Sequence, residues 1–302
     1  MGAVFAVEPQ HGKRTVYSSP IRHLAWALWL NHNPARCYLT VATTYAGFFD
    51  ASGKPQTPVL YVSGFISTEE KWLRFEREWI ALLRRFDIKG MFHTSDYVRG
   101  AGEDYEQFLH DDARRIDFET RAVSVIKRNT LKPFSYGVIL ADHRAIVSRY
   151  EMPYGFERPY SFCGLQGVYW IMLWLGKKKG TSLQDKLHLI YEDGDEDRGR
   201  FSDAMHRAFD VRPNFLPKDK VHPFAAADIL AWRHNRLIRE HKAKTPRPPR
   251  EFFGALFKQI PHGPSCGFYD YKTLEAFCEE KRFARRDRPT TDVSGVSGVS
   301  DA

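Results

Sequence analysis

The chain has 302 residues, 43% of them apolar and 27% charged, an ordinary globular balance with room for one large domain or two small ones. Its longest apolar run, Leu24 to Leu30, is far shorter than a bilayer span and follows Lys13 and Arg14 without a small-residue cleavage site, which argues against a membrane segment and a secretory leader. A formal net charge of +8 favours an anionic partner, nucleic acid first, and the scattered Cys37, Cys163, Cys266 and Cys278 exclude a CxxC knuckle or redox pair and fit free thiols in a reducing cytoplasm.

Taken in order, residues 1–37 carry Pro9, Pro20 and Pro34 around an apolar patch at Trp26 and Trp29, and read as an N-terminal extension packed on a main domain of 38–285. β-Branched and aromatic residues predict a strand over 38–50, and a second over 59–66 follows a break containing Gly53, Pro55 and Pro58. Ser67 and Glu70 have capping-box spacing, and Trp72, Phe75, Trp79, Leu82 and Phe86 recur at helical intervals, so 68–86 is expected to be a helix. Further expectations are a helix over 103–128, a buried strand over 133–142, an apolar helix over 160–176, a strand over 186–193 and a long helix over 224–241. The low-complexity run from Thr290 predicts a disordered tail within 286–302. This alternation gives an α/β chain with a mixed sheet covered by helices.

Three acidic motifs stand where regular elements end. Asp50-Ala51-Ser52-Gly53 closes the first strand, although Asp, Ser and Gly are also ordinary turn residues. Glu192-Asp193-Gly194-Asp195-Glu196 closes the strand over 186–193, where crowded acids imply solvent or a cation and a plain acidic turn is an equal reading. It is not an EF-hand loop, because the glycine falls late, at Gly199, and Ala204 stands at the closing acidic position. The third is Asp228, in an otherwise apolar helix start. At 100° per residue, Ala227, Leu230, Ala231, His234 and Ile238 share the apolar face, and Asp228 falls on a stripe with Trp232, Asn235 and Arg239. Asp228 therefore faces solvent, acts in the helix's first turn, where a negative charge is favoured, or is buried with a partner or metal. In Phe92-His93-Thr94-Ser95-Asp96, His93 and Asp96 are candidate site residues, and Thr94, Ser95 or Asp96 capping a helical turn is the simpler reading.

Carboxylates from separate strand ends and a helix can meet at one edge of a sheet. Several oxygen ligands of this kind suit hard cations, Mg²⁺ or Mn²⁺, and such clusters serve phosphoryl chemistry. A basic stretch of Arg233, Arg236, Arg239, Lys242, Lys244, Arg247 and Arg250, interrupted by Pro246, Pro248 and Pro249, is either an arm that follows a phosphate backbone or an ordinary solvated face.

The order Asp-x-Ser-Gly, strand, Thr-Glu-Glu-Lys-Trp helix, Phe-His-x-Ser-Asp, strand into Glu-Asp-Gly-Asp, and Ala-Ala-Asp-Ile-Leu-Ala-Trp helix, over residues 45–240, resembles the domain-of-unknown-function 3800 family of bacteria and phages. The resemblance implies a ribonuclease H-like mixed sheet flanked by helices. It also implies metal ligands at Asp50, at Glu192 or Asp193, and at Asp228, with His93 and Asp96 in a motif of unassigned role. Ala51 departs from the family's usual Asp-Glu-Ser-Gly, which puts activity in question if that second acid binds metal. The expected function is a metal-dependent phosphodiesterase, a nuclease. The alternatives are a catalytically silent ribonuclease H-like module that binds nucleic acid or protein, and hydrolysis of a small phosphoester.

Overall fold

The computed structural model describes residues 45–53, 57–176, 187–194, 197–242, 253 and 265–286. The expected N-terminal extension, the start of the strand expected over 38–50 and all of the expected tail but Arg286 lie outside these residues.

Strands β1 (Tyr45–Ser52) and β2 (Val59–Thr68) form an antiparallel pair with Asp50 opposite Ser63. Helices α1 (Glu69–Arg85), α2 (Thr94–Arg99), α3 (Glu103–Glu106) and α4 (Asp112–Asn129) follow. Next come β3 (Lys132–Ile139), α5 (Leu140–Arg149), α6 (Pro159–Trp174), β4 (Leu187–Glu192) and α7 (Arg198–Phe209). The last described elements are β5 (Asn214–Leu216), a 3₁₀ turn (Lys218–Lys220), α8 (Phe224–Lys242), β6 (Cys266–Tyr269) and α9 (Tyr271–Glu280). The sheet runs β5-β4-β1-β2-β3-β6. β2 lies antiparallel to β1 and β3, whereas the β1–β4, β4–β5 and β3–β6 pairs are parallel. The expected mixed sheet flanked by helices is the architecture found, and no described helix is long and apolar enough to cross a membrane.

Alternation along the strands sorts two cores. Phe49, Val62, Tyr136, Leu189 and Tyr191 point to one face, where α6, α7 and α9 supply Val168, Phe201 and Leu274. Phe48 points to the other face, edge-on to Trp72 of α1 at 5.1 Å and to Phe224 of α8 at 5.7 Å. The strands carrying these residues approach very closely at Gly64, where an added Cβ would stand 2.1 Å from the Phe48 carbonyl oxygen.

Local chemistry moves several boundaries. The N-cap of α1 is Thr68, whose side chain accepts from the Lys71 N–H at 3.3 Å, so the expected Ser67 capping box does not form. Ser67 is buried instead and donates to the Asn129 carbonyl at 2.6 Å. The helix expected over 103–128 is two helices, because Asp111 caps a fresh start by accepting from the Arg114 N–H at 2.8 Å. The strand expected to reach 142 stops at Ile139 and runs directly into α5.

Helix α5 carries a pH-dependent element. His143 is buried, bonds the Phe156 carbonyl through Nε2 at 2.9 Å and lies against the Phe162 ring. Burial, first of the causes, lowers its pKa below the usual histidine value of 6.5, and burial lowers that of His222 as well. At these two histidines the unfolded chain therefore takes up protons before the folded chain does, and their contribution to stability falls as pH drops below about 6.5 towards the lower folded value. The urea midpoint of His143→Gln is expected to gain on that of wild type as pH falls from 7.5 to 5. Equal pH sensitivity in the variant would remove His143 as its source.

Candidate functional site

Asp50 shares its face of β1 with Phe48, under α8, and is only 1% exposed. Glu192 follows the Phe49–Tyr191 pair in the parallel β1–β4 register, so alternation brings it to the same face beside Asp50. Asp228 comes from the start of α8, where Ala225, Ala226 and Ala227 let the helix approach the sheet. The amide of Asn235 fixes that helix by donating to the Ser52 carbonyl at 2.9 Å and the Val59 carbonyl at 3.0 Å. The chain leaves β1 through Gly53 at φ +125°, where a Cβ would stand 2.3 Å from the Val59 carbonyl oxygen. Glycine in the Asp-x-Ser-Gly motif is therefore a steric demand of this turn.

A lysine with no signal in the sequence ties the carboxylates together. Lys218, in the 3₁₀ turn between β5 and α8, donates from Nζ to Asp50 Oδ2 at 2.5 Å and lies 3.1 Å from Asp228 Oδ1. The other Asp228 oxygen, Oδ2, accepts the Thr94 N–H at 2.7 Å, which gives an acceptor to one of the free N–H groups at the start of α2. Asp50 Oδ1 is sealed from solvent and accepts no hydrogen bond.

One ammonium does not balance three carboxylates in an enclosed space. Burial first, then the Glu192 carboxylate, pushes the Asp50 pKa up to about 8 against the pull of Lys218. Burial and then Asp50 raise that of Asp228, opposed by Lys218 and the Thr94 N–H. Burial disfavours the Lys218 charge, but Asp50, Asp228 and Glu192 outweigh it and hold the ammonium above the ordinary lysine range. The cluster therefore keeps a proton on Asp50 at neutral pH.

Its donor set, three carboxylates with no thiolate and one buried oxygen without a donor, is of the kind a hard cation takes. As they stand, the carboxylates surround an ammonium, and no group of three or more His, Cys, Asp or Glu side chains among the described residues is arranged as a ready metal cage.

The other candidates separate. Asp193 turns away to Arg198, with Oδ1 2.6 Å from its Nη1, and Asp195 and Glu196 lie outside the described residues. Asp96 pairs with Arg99 at 2.7 Å on an exposed flank. His93 is the N-cap of α2 and no side chain caps that helix, so the expected cap from Thr94, Ser95 or Asp96 is replaced by Thr94's backbone bond to Asp228. Ala51 packs against the core on the opposite face, so an acid missing there takes nothing from the side that holds Asp50. A solvent-facing Asp228 is not what forms: its side chain is 15% exposed, and Asn235 on the same stripe is buried.

Of the basic stretch, Arg233 is buried rather than presented to solvent, Arg236 pairs with Glu240 and lies over the Trp232 ring, and Arg239 is exposed. Lys244, Arg247 and Arg250 lie outside the described residues. Sequence reading also missed a buried polar row that continues the site across the sheet. Ser63, opposite Asp50, bonds Ser135 at 2.5 Å, and Ser135 bonds Nδ1 of His234 at 2.6 Å.

No family model matches the chain, and no curated protein matches it. Among solved structures, a chain of the PCNA:RNase HII complex from Archaeoglobus fulgidus is similar at 15% identity and a TM-score of 0.37, over 78% of this chain and 90% of that one. The ribonuclease H2 from Pyrococcus horikoshii OT3 is similar at 12% identity and a TM-score of 0.34, over 79% and 99% respectively. Likeness at this level carries no weight for activity.

Proposed function

We propose that this chain is a divalent-metal-dependent phosphodiesterase, a nuclease, with Asp50, Glu192 and Asp228 as its working carboxylates. One observation carries the reading: three carboxylates from β1, β4 and α8 converge around one ammonium in an enclosed space, with a buried Asp50 oxygen that accepts nothing. Such an arrangement costs stability and is retained where a cation or a reaction uses it. The resemblance of the motif order to the domain-of-unknown-function 3800 family and the net charge of +8 support a polyanionic substrate.

Mg²⁺ or Mn²⁺ bound there would supply Lewis-acid charge for phosphoryl transfer. The chain's own residues prepare the place. The β-sheet fixes Asp50 and Glu192 side by side, the Thr94 N–H holds one Asp228 oxygen, and the closed packing of Phe48, Trp72 and Phe224 keeps bulk water from the Asp50 side. A second reading, a catalytically silent module that binds nucleic acid or protein, is favoured by Lys218 standing where a cation belongs.

The deciding assay is cleavage of labelled single-stranded, duplex and hybrid nucleic acids in Mg²⁺ and in Mn²⁺, with a mononucleotide diester as competitor. The wild type is expected to cleave at least one nucleic acid, and Asp228→Asn to lose that activity while remaining folded. Undiminished cleavage by Asp228→Asn would place the chemistry elsewhere. No cleavage by the wild type with either metal would favour the silent module, and stronger inhibition by the mononucleotide than by unlabelled oligonucleotide would point to a small phosphoester.

A further inference from the structure

We infer that Lys218 stands in for one of two metals: the site takes a single divalent ion between Asp50 and Glu192, with the lysine ammonium as the fixed second cation between Asp50 and Asp228. The inference rests on the metal-dependent reading above and specifies it. It follows from which oxygens are already spent. Both Asp228 oxygens are engaged, Oδ1 facing the Lys218 ammonium at 3.1 Å and Oδ2 accepting the Thr94 N–H at 2.7 Å. Asp50 has spent one, with Oδ2 accepting from Lys218 at 2.5 Å. Its Oδ1 is fully buried, accepts nothing, and belongs to a carboxyl that stands within hydrogen-bonding reach of Glu192. A divalent ion that displaces the proton Asp50 holds at neutral pH would meet two facing carboxylates there, with Oδ1 the Asp50 oxygen that no other group engages.

Lys218 is also built to stay. Its side chain is 15% exposed, and the turn that carries it runs from Pro217 into α8, where Phe224 is buried against Phe48. Two metals about 3.5–4 Å apart clamp the attacking and leaving oxygens of a phosphoryl group in many enzymes. Here a lysine, a point charge with three donors, takes one of those places without demanding octahedral ligands. Asp228 is then a positioning residue that holds the ammonium, whereas Asp50 serves both cations.

Stoichiometry tests this directly. Mn²⁺ titrated into the full chain, followed by electron paramagnetic resonance of the free ion and by calorimetry, is expected to show one site per chain. Glu192→Gln is expected to lose that site by at least about 100-fold in affinity, more than the loss of an outer-shell partner costs, and Asp228→Asn to keep it within about tenfold. Lys218→Met is expected to admit a second Mn²⁺, and Lys218→Arg to remain at one. Two ions per wild-type chain would overturn the inference and leave the metal-dependent reading standing, as would equal losses in Glu192→Gln and Asp228→Asn. No Mn²⁺ bound by wild type or by Lys218→Met would overturn both.

Discussion

Asp50→Asn is expected to abolish metal-dependent cleavage without unfolding the protein, and to leave the metal-free chain at least as stable as wild type at neutral pH. The activity loss is expected to exceed about 100-fold, because even the outer-shell partners of a metal ligand are worth about 10–100-fold. The stability result follows from the sign of the titration. In the fold, burial and Glu192 push the Asp50 pKa up from 3.8 to about 8. Between those values the folded chain holds a proton that the unfolded chain has lost. The group's contribution is therefore fully present below about 4 and disappears as pH rises through about 8. Asparagine does not titrate, and Lys218 keeps Asp228 as its partner. The slope of stability against pH is thus expected to flatten in Asp50→Asn. Urea unfolding of metal-free protein at pH 5 and pH 8, beside the cleavage assay, separates the two effects. A variant that loses stability and activity in proportion would make Asp50 a structural residue.

Elements whose own residues carry a period were legible in the sequence. Trp72, Phe75, Trp79 and Leu82 mark α1 because all four face the core, and the apolar run of α6 and the start of α8 are as plain. Elements defined by neighbours were not. β5 and β6 span only Asn214–Leu216 and Cys266–Tyr269, too short for an alternation to register, and exist because β4 and β3 offer them edges. Helix α5 was hidden because Ile139 and Leu140 prolong the apolar run of β3 while the backbone changes conformation between them. The capping box at Ser67 had the right spacing one residue early, and burial of Ser67 against Asn129 decided against it.

The carboxylates of the candidate site were legible as acids placed where elements end, though nothing along the chain distinguished Glu192 from Asp193. Strand alternation and Arg198 do so in space. Lys218 and the Thr94 N–H were out of reach, because their partners Asp50 and Asp228 lie 168 and 134 residues away along the chain. A lysine in a turn reads as solvated charge until the sheet and α8 close around it. The stripe carrying Asp228 and Asn235 looked like the outer side of an amphipathic helix because the sheet beneath α8 is itself polar there, with Asp50, Ser63 and Ser135 in neighbouring strands. A polar helix stripe over a polar sheet row is invisible to a hydrophobic-periodicity argument.

Trp72→Ala is expected to destabilise the fold by about 3–5 kcal/mol, the usual cost of emptying a buried aromatic site. Trp72 is fully buried, its ring meets Phe48 at 5.1 Å and Phe75 at 5.4 Å, and its indole N–H donates to the Ala46 carbonyl at 2.8 Å. Phe48 in turn meets Phe224 at 5.7 Å. The line Trp72–Phe48–Phe224 therefore couples α1 to β1 two residues before Asp50 and to α8 four residues before Asp228. Emptying its first position loosens both carriers of the site at once. Trp72→Phe keeps most of the packing but loses the hydrogen bond, so a cost nearer 1 kcal/mol from that bond, plus a smaller packing loss, is expected. Urea midpoints for both variants, together with Mn²⁺ affinity at 10 °C where the folded form still dominates, make the test. Weakened Mn²⁺ binding by folded Trp72→Ala, with near-normal binding by Trp72→Phe, would identify this aromatic line as what holds the carboxylates in register. A Trp72→Ala variant within about 1 kcal/mol of wild type would show that the cavity collapses without strain and that the sheet alone positions Asp50.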